Sequence, residues 1–227
     1  MQKGVATPDA QNSANGKGET QDMADDSEPT LTRIQQKNRD LILEGALSAF
    51  SANGFRGATV DQIAEAAGLS KPNVLYYFAT KDDIHKTLLT TLLDMWLAPM
   101  IRIDPKGEPL AEVMGYVRAK LEMSRRFPRE SRLFAYEILQ GAPHLTEILG
   151  GSLREIVDTV AATLQGWMDQ GRLARVDPHH LIFSIWALTQ HYADFDVQVR
   201  AVLGPGHDPF VEAEPFIENL YRKMLSV

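Results

Sequence analysis

The 227-residue chain contains no cysteine. Disulfides, thiolate nucleophiles and cysteine-held metals are therefore excluded, and the composition suits a reducing cytosol. No apolar run approaches the ~20 residues that cross a bilayer. The first residues lack the apolar segment of a secretory signal. A cytoplasmic location without a membrane partner is expected. Sustained apolar/polar alternation is also missing, so the sequence predicts no strand. Catalytic spacings are scarce. There is no H-E-x-x-H, no G-x-S-x-G, no glycine-rich phosphate loop and no histidine pair four residues apart. His179 and His180 are adjacent and point to different helix faces, while His85, His144 and His207 are scattered along the chain. No catalytic residue, no metal site and no cofactor are expected, and the chain is not read as an enzyme.

What is present is an ordinary share of apolar residues, 44%, enough for a packed core. The net charge is −7, unevenly divided. Residues 1–30 hold two lysines and six acids, giving −4. Residues 31–81 hold six basic and four acidic residues, giving +2, which leaves −5 for the remainder. Residues 1–30 are polar and acidic and bury too little to offset ordering, so a disordered tail is expected there. The local basic excess in residues 31–81 is what phosphate contact asks for, whatever the sign of the whole chain.

Helical periodicity fills the rest. A first helix is predicted over about Ile34–Asn53, with Gly54 as its stop. Thr80 is a predicted N-cap for a long helix that runs past Leu88, Leu92 and Trp96 to Pro99. Further helices are predicted over about Leu110–Phe127, Arg129–Gln140, Leu145–Gly171, Pro178–Val199 and Pro209–Leu225. Proline and glycine bound each of them. The chain is read as all-α, with about nine helices and no internal repeat.

Residues 59–81, TVDQIAEAAGLSKPNVLYYFATK, form the organising stretch. Thr59 caps a short helix with Gln62 as capping-box partner, and Ile63, Ala64 and Ala67 form its apolar face. Gly68 breaks it, and Ser70 caps a second short helix. Helix, glycine turn, helix is the pattern of a helix-turn-helix, whose second helix enters the DNA major groove. In that second helix Val74, Leu75 and Phe78 are predicted to pack inward, while Lys71, Asn73 and Tyr77 project outward. The candidate DNA contacts are Arg39, Thr59, Ser70, Lys71, Pro72, Asn73, Tyr76, Tyr77 and Lys81.

These residues carry a resemblance. Phe50, Gly54, Phe55, Thr59, Ile63, Ala64, Ala67, Gly68, Ser70, Leu75, Tyr76, Phe78 and Lys81 stand at the spacing of the DNA-binding domain of the TetR family of transcriptional repressors. So many positions at fixed spacing are specific. The resemblance implies a three-helix helix-turn-helix domain over residues 31–80, followed by a helical ligand-binding and dimerisation domain over residues 81–227. It also implies a homodimer on a palindromic double-stranded DNA operator.

The second domain has one conspicuous segment, HLIFSIWALTQHYADF at 180–195. It is apolar most of the way round and must be buried on several sides. Trp186 and Gln190, four apart, share a face. An aromatic plane beside a carboxamide suits a flat heterocycle with neighbouring donors and acceptors. Trp96, Phe134, Glu137 and Trp167 are further candidate ligand contacts. DMWLAP (94–99), SRLF (131–134), GAP (141–143) and DPHHLIFSIWALTQHYADF (177–195) are similar to a branch of the TetR family that responds to the pyrimidines uracil and thymine. That resemblance implies a small-molecule effector held by Trp96 and Gln190 with Trp186 nearby. The chain departs from the branch in its acidic N-terminal arm, at Pro72, and after about Val197. Three other readings stay open: a regulator with a different apolar or amide ligand, a helical adaptor that binds no DNA, and an enzyme of small heterocycles.

Overall fold

A computed structural model describes residues 32–204 and 206–227. The acidic tail expected over residues 1–30 lies outside the described residues. Among those described, every regular element is a helix: α1 Arg33–Gly57, α2 Val60–Ala67, α3 Lys71–Tyr77, α4 Lys81–Ile101, α5 Pro109–Arg126 and α6 Pro128–Leu139. Three stretches then run on as one helix, α7: Thr146–Ile148, the π-helical turn Leu149–Leu153, and Arg154–Asp169. They are followed by α8 Pro178–Asp194, α9 Asp196–Leu203 and α10 Pro209–Leu225.

Local chemistry sets most of the boundaries. Thr59 and Thr80 close capping boxes with Gln62 and Asp83, and the Ser70 hydroxyl accepts from the Asn73 N–H. Gly68 ends α2 in the left-handed region at φ 67°, a conformation glycine adopts without steric cost. Gly54 interrupts α1 at φ 67°, ψ 169°, so the predicted stop is where the helix kinks. One boundary differs from expectation. The helix expected over Pro178–Val199 breaks at Phe195 (φ −111°, ψ 27°) and restarts as α9. No proline or glycine marks that break, which is why there are ten helices among the described residues rather than about nine.

Two apolar cores result. Ile42, Ala46, Phe50, Ile63, Val74 and Phe78 bury the α1–α3 module. The α1–α2 crossing is close enough that a β-carbon on Gly45 would lie 2.8 Å from the Ile63 carbonyl. The second core draws on α5, α7, α8 and α10, with Trp167, Ile182, Ile217 and Tyr221 inside it. Helix α4 serves both. Its Ile84, Leu88 and Leu92 close the first core and its Met100 enters the second. At 1.5 Å per residue this helix is roughly 31 Å long, a single rod from the helix-turn-helix to the far domain.

Candidate operator-reading surface and effector pocket

The α3 helix has seven residues, so small differences in angular phase decide its faces. Val74 and Phe78 point inward, at 0% and 4% exposure. Leu75, expected inside, is 40% exposed. Tyr77, expected outside, is half-buried, and its hydroxyl accepts from the Asn38 side chain of α1 at 2.9 Å. The correction follows from 100° per residue: Tyr77 lies about 60° from Val74, whereas Leu75 lies about 100° from it. The outward ring is Tyr76, 72% exposed and edge-on to Tyr77.

Lys71 and Pro72 are exposed at the start of α3, with the Lys71 ammonium 2.8 Å from Asp61. Asn73 is half-buried beside them. Thr59 and Ser70 are exposed caps at the starts of α2 and α3. The Arg39 guanidinium lies 4.6 Å over the Phe78 ring, on the α1 side of the same surface. Lys81 departs from its expected part. Its ammonium donates to the Phe55 and Ala58 carbonyls at 2.8 Å each and lies over the Phe55 ring. Two of its three donors therefore hold the α1–α2 turn, and only one is left for a phosphate.

The second site is a cavity of about 690 Å³ between α4, α5, α6, α7 and α8. Four of the expected ligand contacts meet there: Trp96, Phe134, Trp186 and Gln190. Trp96 is buried on α4 and its indole N–H has no partner among the described residues. The Trp186 N–H donates to the Tyr116 hydroxyl at 2.6 Å. Burial pushes the Tyr116 pKa upward, so the phenol stays neutral.

Two expected contacts are corrected. Trp167 is 2% exposed in the second core and donates to the Pro105 carbonyl at 3.2 Å, away from the cavity. Glu137 is buried too, but its carboxylate faces His85 and His144. Glu137 lies on α6 three residues after Phe134, where it meets His85 near the start of α4 and His144 of the following loop, while Phe134 meets the cavity that Trp96 lines.

Three polar residues outside the expected ligand contacts join the cavity: Lys120, Arg132 and Asp194. Lys120 is 3% exposed, with its ammonium 5.0 Å over the Trp96 ring. Burial lowers its pKa from 10.5 to about 8, and the Asp194 carboxylate opposes that fall. Burial likewise raises the Asp194 pKa, against the pull of the Ser131 hydroxyl that donates to it at 2.6 Å. A lysine in an amphipathic helix reads as a surface residue, so nothing local announced this one.

Two stretches of the chain match known families. Residues 42–87 match the family described as "Bacterial regulatory proteins, tetR family". Residues 89–227 match "YcdC-like protein, C-terminal region". The chain belongs to the TetR family. It is 46% identical to the HTH-type transcriptional regulator RutR of Escherichia coli (strain K12) over 191 residues, 84% of this chain and 90% of that one. It is 27% identical to the HTH-type transcriptional regulator TcmR of Streptomyces glaucescens over 176 residues, 75% of this chain and 67% of that one. The fold is that of a putative fatty acid metabolism regulator of Clostridium perfringens, with a TM-score of 0.64 and 18% identity over 82% of this chain and 99% of that one. AibR in complex with isovaleryl coenzyme A and operator DNA superposes at a TM-score of 0.63 with 17% identity, covering 81% and 97% of the two chains.

This TetR-family chain is a ligand-responsive, DNA-binding transcriptional regulator. Its partners are an operator and a small-molecule effector. The relatives are regulators rather than enzymes. No helix among the described residues is long and apolar enough to cross a membrane.

Proposed function

We propose that this regulator is a repressor that a planar pyrimidine base, uracil or thymine, releases from a palindromic operator. One observation carries the proposal: an unpartnered, buried indole N–H on Trp96 of α4, the helix that leaves the helix-turn-helix, in the same cavity as Gln190. A buried donor without an acceptor costs about 1–3 kcal/mol, which a ligand carbonyl recovers. A pyrimidine-dione presents two carbonyls and a ring N–H in one plane. Trp96, Lys120 and the Gln190 amide offer complementary donors and an acceptor. The 46% identity to RutR, the pyrimidine-utilisation regulator, supports the same class of effector.

The operator side of the proposal rests on exposure. Tyr76, Lys71, Pro72 and Asn73 would meet base edges, with Arg39, Thr59, Ser70 and the remaining Lys81 donor on the backbone. Phe183 on α8 and Val211, Phe216 and Leu220 on α10 are exposed apolar side chains, the material of a two-fold helical interface. Such a dimer sets two reading helices about 34–36 Å apart, one DNA turn. An effector against Trp96 then biases the tilt of α4, and a hundredfold release requires about 2.7 kcal/mol of coupling.

The test is calorimetry and gel shift on the intact protein. Uracil is expected to bind the wild type and dissolve its operator complex. Gln190→Ala is expected to keep operator affinity and lose the response at least tenfold. A variant that still releases DNA at the wild-type uracil concentration overturns the pocket assignment. A second reading is favoured by the cavity volume, which suits a ligand larger than one base. Release by a longer apolar acid or amide, with none by uracil, would select it.

A further inference from the structure

The fold gathers one cluster that operator reading and the effector pocket leave unused. His85 of α4, Glu137 of α6 and His144 of the α6–α7 loop each bring a ring nitrogen or carboxylate oxygen to within 4.8 Å of the others. His85 Nε2 stands 3.3 Å from Glu137 Oε2, and His144 Nδ1 stands 3.0 Å from Glu137 Oε1. We propose that these three side chains form a binding site for a divalent transition-metal ion of the zinc class, with a fourth position left to water.

The donor set argues for it. Two imidazoles and a carboxylate suit zinc, cobalt or nickel over magnesium or calcium, which take oxygen ligands. Tetrahedral ligands at about 2.0–2.1 Å from an ion lie roughly 3.3 Å from one another; here the imidazole–carboxylate separations are 3.3 and 3.0 Å, to the two oxygens of Glu137, and the whole set lies within 4.8 Å. Glu137 is 4% exposed and, among the described residues, its ion-pair partners are these two imidazoles alone. Among the described residues no lysine or arginine pairs with it.

The surroundings fit as well. An imidazole bound to a metal turns its other N–H toward an acceptor, commonly a carboxylate. With His144 bound through Nδ1, its Nε2–H faces Asp82 Oδ1, now 3.6 Å away. The His144 backbone N–H already donates to Glu137 Oε1 at 2.9 Å and orients the carboxylate. Phe50 and Phe55 fix the His85 ring, with centroids at 4.7 and 4.6 Å. Coordination through His85 Nε2 and His144 Nδ1 requires each ring to carry its proton on the other nitrogen; for His85 that is Nδ1, which has no partner among the described residues. The way in is open: the Asp82 side chain is 68% exposed and that of His144 19%. His85 lies eleven residues before Trp96 on α4, about 16 Å along the axis. An ion there ties α4 to α6 and the following loop near its DNA-reading end.

The experiment uses the full chain, stripped with a chelator and titrated with Co(II) alone, with Zn(II) affinity read by competition against a chromogenic chelator. One ion per chain is expected, with four-coordinate cobalt absorption and a zinc Kd below about 10 μM. His144→Ala and Glu137→Gln are expected to weaken binding about 100-fold, and Asp82→Asn about 10-fold. A His179→Ala, His180→Ala double variant is expected to bind like the wild type. Circular dichroism of the ion-free variants checks their fold. If Glu137→Gln does not fold, His144→Ala decides, because that ring is partly in solvent. No stoichiometric binding, unchanged binding in His144→Ala, or binding lost with His179 and His180 would each overturn the proposal.

Discussion

Replacing Lys120 by methionine should stabilise this protein at neutral pH. The lysine is 3% exposed and its ammonium has an aromatic face for company. Burial lowers its pKa from 10.5 to about 8. At 1.36 kcal/mol per unit, that shift costs the folded state roughly 3 kcal/mol while the group is charged. The sign follows from proton binding. Between about pH 8 and 10.5 the unfolded chain holds this proton and the folded chain does not, so stability rises with pH through that window. Below it the full cost is present, and above it the cost is gone. Methionine keeps the apolar stem and removes the charge, at the loss of a cation–π contact worth roughly 0.5–2 kcal/mol. Urea unfolding at pH 7, 8.5 and 10 should therefore show Lys120→Met more stable by about 1–3 kcal/mol at pH 7. Its advantage should shrink as the wild type gains stability toward pH 10. A variant less stable at pH 7, with a difference that stays flat to pH 10, would refute the reasoning. It would mean that the ammonium is solvated or paired in the folded state.

Other substitutions test separate links. Gly45→Ala places a β-carbon 2.8 Å from the Ile63 carbonyl and 2.9 Å from the Ala67 nitrogen, both backbone atoms. It should cost about 1–3 kcal/mol in urea unfolding; an unchanged midpoint would show that α1 and α2 move apart freely. Gly68→Ala, at φ 67°, should lower stability by about 1 kcal/mol, read from thermal unfolding. Tyr76→Ala removes a 72% exposed ring from α3. It should weaken operator binding about tenfold, or 1.4 kcal/mol, with no change in effector affinity; equal operator affinity would remove Tyr76 from the reading face. Phe216→Glu on α10 should convert a dimer to a monomer in sedimentation, and an unaltered dimer would move the interface elsewhere.

Much of the fold was legible because its signals are local. Thr59, Ser70 and Thr80 each satisfy a backbone N–H three residues away, so spacing alone identified three helix starts. Gly54 marked the kink of α1 and Gly68 the end of α2, through backbone angles that other residues rarely adopt. Trp96, Phe134, Trp186 and Gln190 line one cavity. Less legible was anything that turned on phase or on a distant neighbour. Leu75 and Tyr77 exchanged faces within a seven-residue helix. The break at Phe195 carries no local breaker. Trp167 and Glu137 found partners in Pro105 and in His85 and His144, 62, 52 and 7 residues away.

The sequence by itself determined an all-helical chain, a helix-turn-helix and the family, because periodicity, caps and motif spacing are properties of neighbouring residues. Tertiary structure alone decided which charges are buried and which side chains meet. Lys120 became a cavity cation because α4 supplies Trp96 beneath it and α8 brings Asp194 to the same cavity. Scattered histidines became a cluster because α4 and the α6–α7 loop close on Glu137. Desolvation and coordination depend on atoms a few ångströms apart in space, and chain distance says little about that until the helices have packed.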